Sequence, residues 1–128
     1  MEYAESFRDL EVHKLSRKLS REIFEISKKF PKEEMYSLTD QIRRSSRSVS
    51  GQIAEAWGKR RYEKHFESKL TDADAEQLET QHWIQTALDC SYISKETAND
   101  LLQQYFSLGK MLNSMINKSE LFCNMSNR

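Results

Sequence analysis

The stretch DLEVHKLSRKLSREIFEISKK, Asp9 to Lys29, decides the fold. Its apolar residues Val12, Leu15, Leu19, Ile23 and Ile26, continued by Phe30, recur every three or four positions, which is the period of one helix face. At ~100° per residue the opposite face carries Lys14, Arg17, Lys18, Arg21 and Lys28, with Glu22 and Glu25 on its flank. Ser6 and Asp9 form a weak capping-box pattern ahead of it, and Lys28 and Lys29 suit the negative end of the helix dipole. A helix of this kind has to bury its apolar stripe against other elements, so the rest of the chain must supply matching faces.

It does so three more times. Beyond Pro31, the single proline, a second helix is expected from about Glu33–Thr39 to Lys59, with Leu38, Ile42, Val49, Ile53 and Trp57 on its stripe and Ser46 in the gap. Gly51 falls on the far face with Arg47, Ala54 and Gly58; it is either simply tolerated or marks a second, close-packed interface. A third helix, Tyr62 to Cys90, places Phe66, Leu70, Ala73, Gln77, Thr80, Ile84 and Leu88 on one stripe, unusually polar in its middle. After a turn at Ser91–Ser94, with Ser94 as N-cap, a fourth helix repeats Ala98, Leu101, Tyr105, Leu108, Leu112 and Met115, and Leu102, Phe106 and Ile116 widen that stripe. The expected fold is all-α, an antiparallel up-down-up-down four-helix bundle, with one domain over residues 1–119 and a flexible tail over 120–128.

Composition agrees. A chain of 128 residues with three Gly and one Pro has too few turn formers for a β-sandwich or a Gly-rich phosphate loop. Cys90 and Cys123 have no metal-ligand spacing and read as reduced thiols. Glu2 and Glu5 stand where a signal peptide would be basic, and no run approaches the ~18 apolar residues of a membrane span. A soluble, cytoplasmic protein without a membrane partner is the expectation.

The 20 Lys and Arg balance the 20 Asp and Glu, which excludes a uniformly basic nucleic-acid binder. The balance is nevertheless local. Residues 43–69 hold eight basic residues, Arg43, Arg44, Arg47, Lys59, Arg60, Arg61, Lys64 and Lys69, against three acids, a net of +5. Residues 70–105 hold seven acids against Lys95, a net of −6. A stripe of this sign suits nucleic-acid phosphates through Arg43, Arg44, Arg47, Lys59, Arg60, Arg61 and Lys64, with the basic face of the first helix assisting. The same asymmetry suits head-to-tail self-association that closes into a ring. Among the interleaved aromatics Trp57 and Phe66 fit core stripes, leaving Tyr62 to stack on bases.

Catalytic patterns are weak. A di-metal bundle needs two Glu-x-x-His motifs, and Glu79-Thr80-Gln81-His82 supplies one, with Leu10 and Tyr62 standing three residues before His13 and His65. Ser45, Ser46, Ser48 and Ser50 have no adjacent histidine and read as small-residue helix packing. The expectation is a protein that is not an enzyme, with no cofactor, metal or small-molecule substrate.

The chain also resembles the four-helix-bundle proteins encoded in intervening sequences of bacterial 23S ribosomal RNA genes. The matching stretches are Phe7-Arg8-Asp9-Leu10, Phe30-Pro31 with Glu34, Leu38-Thr39-Asp40-Gln41-Ile42-Arg43-Arg44, Ser48-Val49, Ile53-Ala54-Glu55 and Glu76-Gln77-Leu78-Glu79-Thr80-Gln81. Ser50, Gln52 and Ala56 depart from the proline, asparagine and glycine usual there, which makes the second helix a better helix former. The resemblance implies a homopentamer, a relation to the accessory variability proteins of diversity-generating retroelements, and contact with a reverse transcriptase and structured RNA or DNA. It implies no catalytic residues. Gln41, Glu55, Glu76 and Glu79, shared with that pattern, are expected to form a polar network that fixes helix register. The leading expectation is thus a non-enzymatic oligomeric scaffold holding nucleic-acid backbone. The alternative is a protein-interaction adapter, for example a reverse-transcriptase accessory subunit, whose charged faces serve ring assembly.

Overall fold

A computed structural model describes residues 4–123, and among these every regular element is helical. Helix α1 (Glu11–Ser27) buries Val12, Leu19 and Ile23 along the periodic stripe. It starts two residues later than the periodicity suggests, because Ser6 and Asp9 cap a separate 3-10 turn at Phe7–Asp9. There the Ser6 hydroxyl accepts the Arg8 N–H at 3.1 Å and the Asp9 carboxylate accepts the Ser6 N–H at 3.2 Å.

Between α1 and α2 (Asp40–Gly58) lie a 3-10 turn, Lys32–Glu34, and a π-helical turn, Met35–Thr39. Glu34 ties this connection together. Its carboxylate accepts the Ser37 hydroxyl at 2.8 Å, the Leu38 N–H at 3.4 Å and the Tyr92 hydroxyl at 2.8 Å, the last from the turn after α3 (Glu63–Asp89). The bonds from Ser37 and Tyr92 hold the Glu34 carboxyl below its usual range, and the bond to Glu34 pushes the Tyr92 phenol up to about 12. Ser94 then caps α4 (Lys95–Asn117), accepting the Thr97 N–H at 3.1 Å.

The helices pack most extensively as α2 on α3, then α3 on α4 and α1 on α2, while α1 and α4 pack less closely than any of these pairs. Leu19, Ile23, Ile42, Val49, Ile53, Phe66, Leu70, Ile84, Tyr105, Leu108 and Leu112 fill the interior. Midway along α3 the core is polar and satisfied. Thr80 and Ser45 share a hydroxyl–hydroxyl bond of 2.8 Å, and buried Gln77 donates to Asp74 at 2.9 Å and accepts from Gln81 at 2.7 Å.

Several placements differ from the periodic reading. Trp57 and Leu88 are only half-buried, and Ala56 and Ala87 take the inner positions beside them. Phe106 is 60% exposed, with Lys110 Nζ 4.8 Å from its ring centroid. On the α3-facing flank one turn further along α4 sits Gly109, where an added Cβ would stand 2.7 Å from Gln77 Nε2. That is the close helix approach; at Gly51 and Gly58 a Cβ would meet nothing within 4 Å. The stretch expected to be a tail begins instead with α5 (Ser119–Cys123). Ser119 donates to Glu63 at 2.9 Å and also to Glu67, Phe122 stacks on Phe66 at 5.8 Å, and Cys123 is buried. Residues 124–128 lie outside the described residues.

Candidate nucleic-acid interface

The seven basic residues singled out above divide among three places. Arg43 and Arg47, one helical turn apart, lie against α1, whereas Arg44, rotated ~100° from Arg43, turns toward α3. Lys59, Arg60, Arg61 and Lys64 surround the α2–α3 turn. Arg60 lies over Trp57 at 3.5 Å, donates Nε–H to the Trp57 carbonyl at 2.8 Å, and has its pKa lowered by burial. Lys59, Arg61, Lys64 and Tyr62 are exposed beside it.

The α1–α2 face is the most developed of the three. Phe24 stands off the apolar stripe of α1, and its ring carries Arg43 at 4.7 Å, Lys28 at 4.8 Å and Arg47 at 5.3 Å. Arg43 also donates Nε–H to Ser27 at 2.7 Å, which locks it across the helix pair. Beside Phe24, Arg17, Ser20 and Arg21 of α1 face Arg47 and Ser50 of α2 across a pocket of about 360 Å³. Arg17, Arg21 and Arg47 have no carboxylate partner among the described residues, while Lys14 and Lys28 pair at 3.2 Å with Glu11 and Glu25. Guanidinium groups held by an aromatic face and left without counter-ions suit phosphate oxygens, which they can bind in bidentate fashion. Charge density in the sequence pointed to the second helix. An aromatic residue among Arg17, Arg21 and Lys28 was the signal for the first.

Three of the four residues expected in a polar network converge, and they converge on Arg44. It donates to Glu76 at 3.4 Å, to Glu79 at shorter range, and to Gln41 at 3.5 Å, while Trp83 donates its indole N–H to Glu79 at 2.9 Å. The bond to Glu79 raises the Arg44 pKa, and the bonds from Trp83 and Arg44 hold the Glu79 carboxyl below its usual range. Glu55 stands apart from them, paired with Lys69 at 3.0 Å. Part of the basic and acidic halves of the sequence is therefore neutralised within the chain, and Arg44 is committed to its own fold. His82 is exposed with its ring edge on Trp83 at 4.6 Å, and among the described residues no group of three or more His, Cys, Asp or Glu is placed to hold a metal. No helix of the described residues is long and apolar enough to cross a membrane.

Comparison with known proteins gives a family. The model of the 23S rRNA-intervening sequence proteins matches residues 8–114. Among solved structures, a protein of unknown function from the S23 ribosomal protein family of Bacteroides thetaiotaomicron superposes with a TM-score of 0.75 at 26% identity, covering 83% of this chain and 95% of that one. No curated protein matches the chain significantly.

Proposed function

From a chain that belongs to the 23S rRNA-intervening sequence protein family, we propose a non-enzymatic scaffold that holds the backbone of a structured nucleic acid on its α1–α2 face. The observation that carries this reading is the set of three guanidinium groups, Arg17, Arg21 and Arg47, that line one pocket beside Phe24 without carboxylate partners, with Arg47 over the Phe24 ring. Contacts of this type neutralise phosphate and read no bases, so the binding is tolerant of sequence and weakened by salt. Arg43 extends the surface, and Lys59, Arg61 and Lys64 at the α2–α3 turn offer further phosphate contacts at the end of the bundle. Arg44 is left out, since its charge is spent on Glu76 and Glu79.

The scaffold is an antiparallel bundle. In support, Arg43 near the start of α2 bonds Ser27 at the end of α1, and Glu55 late in α2 pairs with Lys69 early in α3. Assembly as a homopentamer in the bacterial cytoplasm completes the reading. A second reading, an adapter that packs against copies of itself and a partner such as a reverse transcriptase, is favoured by Leu78 and Phe106, two large apolar side chains exposed on α3 and α4.

A gel-shift titration against RNA and DNA at several salt concentrations tests the first reading. Replacing Arg17, Arg21 and Arg47 by Gln is expected to reduce the slope of log affinity against log salt by ~2 to 3, at ~0.7–0.9 per lost phosphate contact. Wild-type affinity that is absent at low salt, or a slope unmoved by the triple substitution, refutes it.

A further inference from the structure

His13 is only 5% exposed, and its imidazole makes no hydrogen bond among the described residues; its ring neighbour is Phe7, edge-on at 4.8 Å. The ring nitrogens are not sealed from solvent, so they can meet a ligand at the surface the ring lines. His13 forms the wall of a pocket of about 530 Å³ whose other lining residues are Phe7, Arg8, Lys14, Arg17 and Arg21. Arg8 comes from the 3-10 turn and the other three cations from α1; α2 and α4 contribute no lining residue, and none of the lining residues is acidic. Lys14 is partly offset by Glu11, and Arg8 lies over the Phe7 ring at 4.5 Å, while Arg17 and Arg21 have no ion pair. Burial, and then the charges of Arg17 and Arg8, hold the His13 pKa below its ordinary value.

We propose that this pocket binds a phosphate group, with Arg17 and Arg21 supplying charge-assisted hydrogen bonds and His13 a donor whose strength follows its protonation. A bound anion offsets the cations that disfavour the imidazolium, so anion and proton bind cooperatively. The sign follows directly. Occupation raises the His13 pKa, and affinity therefore rises as pH falls through that pKa and levels off above it. The site goes beyond the proposed nucleic-acid surface, because a small oxyanion suffices to fill it. A free phosphate and a backbone phosphate share the chemistry.

The experiment follows the imidazole resonances of the full chain by NMR through a pH titration with and without sulfate, whose charge is constant between about pH 5 and 8. His65 and His82, both exposed, serve as internal controls. Sulfate is expected to move His13 and not the controls, and to raise its titration midpoint by about one pH unit, which corresponds to binding about tenfold tighter at low pH than at high pH. Arg17→Gln is expected to weaken the response several-fold, and His13→Asn to leave binding with no pH dependence. A His13 signal indifferent to sulfate, equal affinity at pH 5.5 and 8, or a full response in Arg17→Gln overturns the proposal. In a second arm, an oligonucleotide that displaces sulfate from His13 assigns the phosphate to a backbone, and displacement by inorganic phosphate alone assigns it to a small ligand. The second result counts against the nucleic-acid reading and leaves the pocket standing.

Discussion

Gly109→Ala provides a sharp test of how α3 and α4 are fitted together. In an exposed helix interior the substitution would stabilise by about 1 kcal/mol through backbone entropy. Here the new methyl would lie 2.7 Å from Gln77 Nε2 and 3.5 Å from Asp74 Oδ1. The far end of a glutamine is normally free to move aside, but Gln77 is 3% exposed and bonded at both ends, to Asp74 and to Gln81. Displacing it forfeits two half-buried hydrogen bonds at about 1 kcal/mol each and strains the packing by a further ~1 kcal/mol or more. Against the entropic gain, the net is a destabilisation of roughly 1–2 kcal/mol, or about 3–8 °C in Tm for a domain of this size. Gln77→Ala removes the obstacle. In that background Gly109→Ala should stabilise by up to about 1 kcal/mol, a reversal of sign that corresponds to a coupling of ~2–3 kcal/mol in a double-mutant cycle. Urea denaturation of the four proteins measures it. A Gly109→Ala variant as stable as wild type, or one whose effect is the same in both backgrounds, refutes the reasoning.

Arg44→Met is expected to destabilise by about 1 kcal/mol at pH 7, a modest figure because the guanidinium is half exposed. Since the folded state holds the Glu79 carboxyl below its ordinary 4.5, the stabilisation is present above that pH and lost as pH falls through the folded value; denaturation midpoints of wild type and variant should converge once the pH is below the folded value. Ser45→Ala and Thr80→Val, measured singly and together by thermal unfolding, should show a favourable coupling of about 1 kcal/mol for their buried 2.8 Å bond; strict additivity would deny that the bond contributes.

Much of the fold was legible because hydrophobic periodicity reports which residues face inward, and Leu19, Ile23, Ile42, Val49, Phe66, Leu70, Tyr105 and Leu112 do so. What periodicity does not report is how deeply two faces interpenetrate. Gly109 went unnoticed because its meaning lies in Gln77, thirty-two positions away and on another helix. Phe106 was assigned to a wide stripe because apolarity alone does not distinguish the edge of a face from its outside. The site was less legible for an angular reason. Arg43 and Arg44 are adjacent in sequence yet point to α1 and α3 respectively, so a count of charges along the chain merged residues that never share a surface. The polar network was readable as a set, and the cation at its centre was the residue assigned elsewhere.

The small contact between α1 and α4 has a consequence for how the molecule breathes. Along that seam lie Glu22 Oε2 and the Tyr105 hydroxyl, two buried oxygens without partners among the described residues; burial, and then the charge of Glu22, push the phenol's ionisation upward. Water admitted between the two helices would satisfy both, so opening here recovers solvation that the closed state forgoes. Amide protons of α1 should then exchange through local excursions of lower free energy than those of α2 and α3. Helix α1 carries more cationic groups than any other helix, and an anion held between its Arg17 and Arg21 and the Arg47 of α2 would reinforce its anchoring, so slower exchange across α1 would record that occupation without any label on the ligand.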